Sequence, residues 1–123
     1  MFFCQSFENC KTWSEMQAYL CQQLATLYEQ HKYVYKNLSP LNASRFDQVY
    51  SGVLKDGITT NALLYLSKYL KDYHKSKCII LVDEYDHPLE VAFRRGYYEE
   101  ACGFFASLFG KLFKVSTYFR VFS

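Results

Sequence analysis

The chain has 123 residues, enough for one domain or for part of one. Half of the residues are hydrophobic, 21% are charged and the formal net charge is +2, a composition that excludes an intrinsically disordered chain. Basic residues are scattered, so the charge gives no signal for nucleic-acid binding. The 12 Tyr and 11 Phe are more rings than a small domain readily buries, which favours a partner surface or a missing part of the fold.

The cysteines indicate a reducing compartment. There are five of them, no two have CxxC spacing, and none lies near the three histidines, so no zinc-ligand pattern occurs. We expect reduced, mostly buried thiols in a cytoplasmic protein. No run of about 18 apolar residues occurs, and the start of the chain lacks the features of a signal peptide, so we expect no membrane span.

Three helices are predicted in the first part of the chain, after a short strand at Met1–Phe7. Thr12 and Glu15 have the capping-box spacing, and a helix of about five turns should follow them. Ser39-Pro40 should start the second helix, which is predicted to run to about Leu54. The third should run from about Thr59 to His74. The predicted buried stripes comprise Trp13, Met16, Leu20, Leu24, Leu27 and His31; Phe46, Val49, Tyr50 and Val53; and Ala62, Leu63, Leu66, Tyr69, Leu70 and Tyr73.

A buried strand is predicted next, because Cys78–Val82 is a continuous apolar run rich in β-branched residues. Asp86-His87-Pro88 should stop regular structure. A fourth helix, from Tyr97 to about Phe113, is predicted after Gly96, and the last residues, 116–123, alternate weakly like a further strand. Strands separated by helices predict an α/β fold of three layers, a parallel sheet flanked by helices, with 78–82 central and parallel to Met1–Phe7.

The chemistry is concentrated where the predicted strand ends, at Asp83-Glu84-Tyr85-Asp86. Acidic residues at the carboxyl end of a buried parallel strand face the crevice in which open α/β sheets bind ligands. In P-loop ATPases such a strand is the Walker-B motif, whose first acid anchors Mg²⁺ at the phosphates. An adjacent glutamate can orient and deprotonate the attacking water. On this pattern Asp83 is the candidate metal ligand and Glu84 the candidate catalytic residue; Asp86 would support the turn or cap the next segment.

Two segments resemble the AAA-ATPase-like family of P-loop ATPase domains. The stretch from Ile79 to Leu89 is similar to the family signature LIDEYDxPI, and Gly96-Tyr97-Tyr98-Glu99-Glu100 is similar to its GYYEE segment at the same distance. The helices upstream and the segment from Phe104 to Lys114 also follow the family order. The resemblance covers nearly all of residues 1–123, with the Walker-B strand at 78–84. It implies Mg²⁺ and ATP as ligands of the complete domain, and often a nuclease-like domain further along the same polypeptide.

The sequence also departs from the family pattern. No GxxxxGK[ST] loop occurs, and the five glycines have no Lys-Ser or Lys-Thr neighbour. Without that loop no backbone N–H cradle for phosphates is expected. We therefore expect a partial domain that does not bind Mg-ATP well by itself. It would need a polypeptide that supplies the Walker-A half, or it would self-associate.

Two other functions stay open. The chain could be a non-enzymatic remnant whose sheet edge and aromatic residues bind another protein. It could also be a metal-dependent nuclease that uses Asp83, Glu84 and Asp86. That chemistry usually needs a lysine two residues after one of the acids, and the nearest candidate triplet, Glu84-Tyr85-Asp86, has none. The pair Arg94 and Arg95 is interpreted as solvent-exposed rather than as an arginine finger.

Overall fold

Helices make up most of the part of the chain that the structure describes. The computed structural model describes residues 7–54, 57–76, 79–82, 86–110 and 118–121. The elements are α1 (Trp13–Gln30), a 3₁₀ helix (Lys32–Asn37), α2 (Pro40–Tyr50), a 3₁₀ helix (Thr59–Asn61), α3 (Ala62–His74), β1 (Ile79–Val82), α4 (Asp86–Arg95), α5 (Tyr98–Gly110) and β2 (Tyr118–Val121).

The capping signals in the sequence define the starts of α1 and α2. Thr12 is the N-cap of α1, and its hydroxyl accepts from the N–H of Glu15 at 3.2 Å. The Glu15 carboxylate accepts in turn from the N–H of Lys11, one residue before the usual capping-box partner. Ser39 caps α2 with Pro40 in the first turn. The predicted starts of these two helices are therefore confirmed.

The core is formed by helices packed on one another. Helix α1 contacts α2 and α3, and α5 contacts α3 and α4. The buried stripe of α1 includes Cys21 and Tyr28, whereas Trp13, Leu27 and His31 are only partly buried. On α2, Phe46 and Val49 are buried as predicted, but Tyr50 is exposed. Burial of these apolar faces is the main stabilising contribution, at about 25 cal/mol per Å².

One buried tyrosine joins α1 to the start of α3. The Tyr28 hydroxyl donates to the carbonyl of Ala62 at 2.6 Å, and the Tyr28 ring lies 4.8 Å from that of Phe46. Burial raises the pKa of Tyr28 far above its usual range, so this hydroxyl keeps its proton. The contact thus holds α1, α2 and α3 together at one point.

The described strands pair with each other. Strand β1 is parallel to β2, in the register Ile79 to Tyr118 and Val82 to Val121. Strands therefore form within the predicted segments 78–82 and 116–123, although the expected partner of residues 78–82 was Met1–Phe7. Residues 1–6 lie outside the described residues. Phe7 begins a tight turn, in which its carbonyl accepts from the N–H of Cys10.

The prediction of a three-layer α/β fold, a parallel sheet flanked by helices, is wrong. Two strands of four residues each form the described ladder, and the described core lies between helices. The physical reason is that the amphipathic helices bury their apolar faces against one another and do not require a central sheet. Residues 86–95 add to the helical content, because α4 forms where Asp86-His87-Pro88 was predicted to stop regular structure.

Two tyrosine-to-phenylalanine substitutions should affect the free energy of unfolding differently. Tyr28→Phe removes the donor to Ala62 and leaves a buried carbonyl unpaired, which should lower the free energy of unfolding by about 1–3 kcal/mol. The buried Tyr69 hydroxyl has no hydrogen-bond partner among the residues that the structure describes, so Tyr69→Phe should be neutral or stabilising. Urea denaturation measures both. Equal destabilisation by the two changes would contradict this account of the core.

Tyr69 should also produce an alkaline destabilisation. Burial raises the pKa of Tyr69 from 10 to about 12. Between these values the unfolded chain has lost the proton that the folded chain retains, so stability should fall as pH rises from 10 to 12. Denaturation midpoints measured across this range should decline in the wild type, and less in Tyr69→Phe.

Candidate functional site

The predicted acidic residues follow the end of β1 directly. Asp83 and Glu84 come immediately after Val82 and lie outside the described residues, as does Tyr85. The structure does describe both neighbours of this segment. Val82 pairs with Val121 in the parallel ladder, and α4 begins at Asp86. Regular structure therefore lies on both sides of the acidic segment, β1 before it and α4 after it.

Helix α4 packs one face against the core. Its buried residues are Pro88, Val91 and Ala92, whereas Glu90 and Phe93 are exposed. Pro88 is tolerated because it lies in the first turn, where backbone N–H groups have no partner within the helix. Apolar burial thus fixes the helix that follows the acidic segment.

The corner after α4 is closed by a Schellman motif. The N–H of Tyr97 donates to the carbonyl of Ala92 at 2.9 Å, and the N–H of Gly96 donates to that of Phe93 at 3.4 Å. Gly96 has φ of +88°, a conformation that costs a residue with a Cβ. Gly96 therefore turns the chain from α4 into α5.

His87 ties the start of α4 to the first described residue. The backbone N–H of Phe7 donates to Nε2 of His87 at 3.3 Å, across 80 positions of sequence. The Phe7 ring is buried and makes an edge contact with Tyr19 of α1, with ring centroids 4.9 Å apart. Since a backbone N–H can only donate, Nε2 of His87 acts here as the acceptor.

Both arginines at the end of α4 bind Glu8. One terminal nitrogen of Arg94 lies 2.9 Å and 3.1 Å from the two carboxylate oxygens of Glu8, and Arg95 donates to the Glu8 carbonyl at 3.2 Å. The Arg94 and Glu8 side chains are 44% and 50% exposed, so the ion pair adds little stability by itself. The prediction of a solvent-exposed arginine pair is confirmed, since both residues are exposed. Both side chains also contact the 7–10 turn.

Tyr97 makes the buried contact of this group. Its side chain is only 4% exposed, and its hydroxyl donates to the carbonyl of Cys10 at 2.6 Å. Trp13 at the start of α1 lies against the same ring, with centroids 6.0 Å apart. We use the term N-terminal clasp for the contacts of His87, Arg94, Arg95 and Tyr97 with residues 7–10.

The N-terminal clasp contains residues that sequence patterns did not assign to the site. His87 was interpreted as part of a break, and Tyr97 as the start of a helix. The available signal was the similarity of residues 79–89 and 96–100 to two family segments, since three of the four clasp residues lie in or beside these segments. Their partners lie 80 to 87 positions away and have no local signature.

The described ranges contain neither a metal-binding cluster nor a membrane-spanning helix. Among these residues no group of three or more His, Cys, Asp or Glu is arranged to hold a metal ion. Within the same ranges no helix combines the length and apolar character needed to cross a membrane. A metal site at Asp83 and Glu84 remains a prediction.

The comparison with protein families identifies the relationship. The family model described as "Predicted AAA-ATPase" matches residues 2–122. The chain belongs to the AAA-ATPase-like family. No curated protein and no solved structure matches it. The resemblance inferred from the two segments is therefore confirmed, and the match spans both the 7–10 turn and the α4–α5 corner of this AAA-ATPase-like chain.

Removing the Tyr97 hydroxyl should lower the free energy of unfolding of the AAA-ATPase-like chain more than removing the exposed Arg94–Glu8 ion pair does. Tyr97→Phe leaves the Cys10 carbonyl without its donor in a buried position, which should cost about 1–3 kcal/mol. Glu8→Gln should cost at most about 1 kcal/mol, because the charge is half exposed.

Chemical denaturation of the two variants provides the measurement. Tyr98→Phe is the matched control for Tyr97→Phe, since Tyr98 is exposed at the start of α5. An unchanged denaturation midpoint in Tyr97→Phe would show that the N-terminal clasp does not contribute to stability.

Proposed function

We propose that this chain provides the acidic part of an ATPase site, with Asp83 as the Mg²⁺ ligand and Glu84 as the residue that orients the attacking water. The observation that carries the proposal is the continuous order of β1, Asp83-Glu84 and α4 within a chain of the AAA-ATPase-like family. In this role Asp83 would hold the magnesium ion, which would supply neutralisation of the phosphate charge. Glu84 would accept a proton from water beside that ion.

The donor chemistry fits magnesium. Mg²⁺ prefers oxygen ligands and is commonly held by one or two carboxylates together with water and substrate phosphates. Asp83 offers such a carboxylate one residue after the end of β1, and Glu84 follows it. The remaining ligands would come from water and nucleotide.

No segment of these 123 residues has the sequence pattern of a phosphate-binding loop. Gly52, Gly57 and Gly96 have positive φ, but each lies in a separate turn and none precedes a Lys-Ser or Lys-Thr pair. Gly103 and Gly110 are helical. A nest of consecutive N–H groups for phosphates is therefore not supplied by the described turns. We propose that the phosphate-binding loop comes from outside residues 1–123, on the same or another polypeptide.

The N-terminal clasp supports a positioning role for α4. Val82 is held by the ladder on one side of the acidic segment, and His87 is bonded to Phe7 on the other. Catalytic groups work best when neighbouring contacts fix them within a narrow range of positions. The clasp would limit how far the acidic segment can move relative to a nucleotide.

A second candidate function is binding to another protein through the α4–α5 corner. Phe93 is 73% exposed and Tyr98 is 44% exposed, and their rings form an edge contact with centroids 5.8 Å apart. Exposed aromatic pairs are common in protein interfaces. The polypeptide that supplies the phosphate-binding loop would be a suitable partner for this surface.

Chain 1–123 alone should hydrolyse ATP far more slowly than about 1 s⁻¹, an ordinary turnover rate. Carboxylates cannot position the γ-phosphate without a phosphate-binding loop. Phosphate release measured with purified chain and Mg-ATP should equal the buffer rate, and Glu84→Gln should not change it. Hydrolysis at 1 s⁻¹ or above that Glu84→Gln abolishes would show that these residues contain a complete site.

Metal binding by Asp83 and Glu84 can be tested with a paramagnetic ion. Mn²⁺ should broaden the NMR signals of residues adjacent to Asp83 and Glu84 at millimolar concentration, because Mn²⁺ uses the same oxygen ligands as Mg²⁺. Asp83→Asn should reduce this broadening, whereas the control Glu90→Gln on the exposed face of α4 should not. Equal broadening in both variants would contradict a role for Asp83 as a metal ligand.

A further inference from the structure

Two of the three histidines meet where the C-terminal ends of α1 and α3 come together. His31 is the C-cap of α1, and His74 is the last residue of α3. Tyr33, in the first turn of the 3₁₀ helix Lys32–Asn37, lies between them. The third histidine, His87, is bonded to Phe7 in the N-terminal clasp and takes no part in this group.

Both imidazoles direct a nitrogen at the same oxygen. Nδ1 of His31 lies 3.3 Å from the Tyr33 hydroxyl, and Nε2 of His74 lies 2.9 Å from it. The distance between the two nitrogens is therefore at most the sum of these two contact distances. Ligands held about 2.0–2.1 Å from one zinc ion lie about 3.3 Å apart in tetrahedral geometry. The two N···O separations at Tyr33 are close to this ligand–ligand distance.

We propose that His31, Tyr33 and His74 form a binding site for a divalent transition-metal ion of the zinc or copper class. Imidazole nitrogen is a preferred ligand of both ions, and a phenolic oxygen can complete the protein's share of the coordination. Water would occupy the remaining positions, because Tyr33 and His74 are exposed to solvent. The site lies apart from Asp83 and Glu84 and does not depend on an ATPase function.

The protonation states favour a metal over a second proton. Burial lowers the pKa of His31, with a smaller contribution from the neighbouring His74, which favours the neutral imidazole. Metal ligation requires a neutral imidazole. The Tyr33 hydroxyl has one proton and can donate to only one of the two rings, so the other ring must donate to it or lose that contact. A metal ion would satisfy both nitrogens at once.

The helix ends favour a positive ion at this place. The C-terminus of a helix carries a partial negative charge, and cations near it are stabilised. His31 and His74 mark the ends of two helices whose last carbonyl groups lie in the same region. Tyr73 packs against both Tyr33 and His74, with centroids 5.0 Å apart in each case, which limits the motion of the rings.

The test is a metal titration of chain 1–123 with three single variants. Zn²⁺ added to the wild type should shift the histidine ring signals of His31 and His74 in a saturable manner and raise the melting temperature with concentration. His31→Gln and His74→Gln should each weaken binding by at least about tenfold. His87→Gln is the matched control and should leave the affinity unchanged.

The variant Tyr33→Phe separates the contribution of the phenolic oxygen from that of the two imidazoles. It retains both imidazoles and removes the shared oxygen, so zinc binding should persist in weaker form. Cu²⁺ should broaden the same two histidines before His87. Absence of a saturable shift up to about millimolar zinc, or an equal response in His74→Gln and His87→Gln, would overturn the proposal. Unchanged binding in the folded His74→Gln variant would assign the ion to the cysteine thiols instead.

Discussion

The contacts between residues 7–10 and the α4–α5 corner are the constraint on which the arrangement of the second half depends. They join positions 80 to 87 residues apart. Closing a chain segment of this length costs conformational entropy, which the contacts made on closure must offset. The buried Tyr97 hydroxyl and the buried Phe7 ring contribute most, since the Arg94–Glu8 pair is half exposed.

The clasp also fixes the position of α4, the helix that follows the acidic segment. Helix α4 cannot slide along the core while His87 is bonded to Phe7 and Pro88, Val91 and Ala92 are buried. The first helix of the chain is linked to the same region, because Trp13 and Tyr19 pack against Tyr97 and Phe7. The 7–10 turn and the first part of α1 therefore support α4, which contains the last residues of the family signature.

Local signals in the sequence predicted much of the secondary structure. Thr12, Ser39-Pro40 and the stripes of α1 and α3 predicted three helices, and the apolar run predicted β1, because caps and periodicity act over a few residues. Helix α4 was missed because Asp86-His87-Pro88 resembles a breaker, although proline is compatible with a first turn. The partner of β1 and the fold class depend on long-range packing, and the predicted α/β layers were wrong.

The candidate site was predictable only in part. Asp83 and Glu84 came from the acidic end of a buried strand and from the family resemblance, and the family itself is confirmed. Their geometry lies outside the described residues, so their roles remain proposals. The partners of Arg94, Arg95 and Tyr97 could not be predicted, since hydrogen bonds to Glu8 and Cys10 leave no periodic pattern in the sequence.

The most direct test of this account is the hydrogen-exchange rate of the Phe7 amide in the folded chain. If the N–H donates to His87, exchange should be slowed at least about tenfold relative to an unstructured peptide, and His87→Phe should remove that protection. The amide of Cys10, which donates to the Phe7 carbonyl, provides an internal reference. Exchange of Phe7 at the unstructured rate in the wild type would contradict the clasp and the positioning of α4 derived from it.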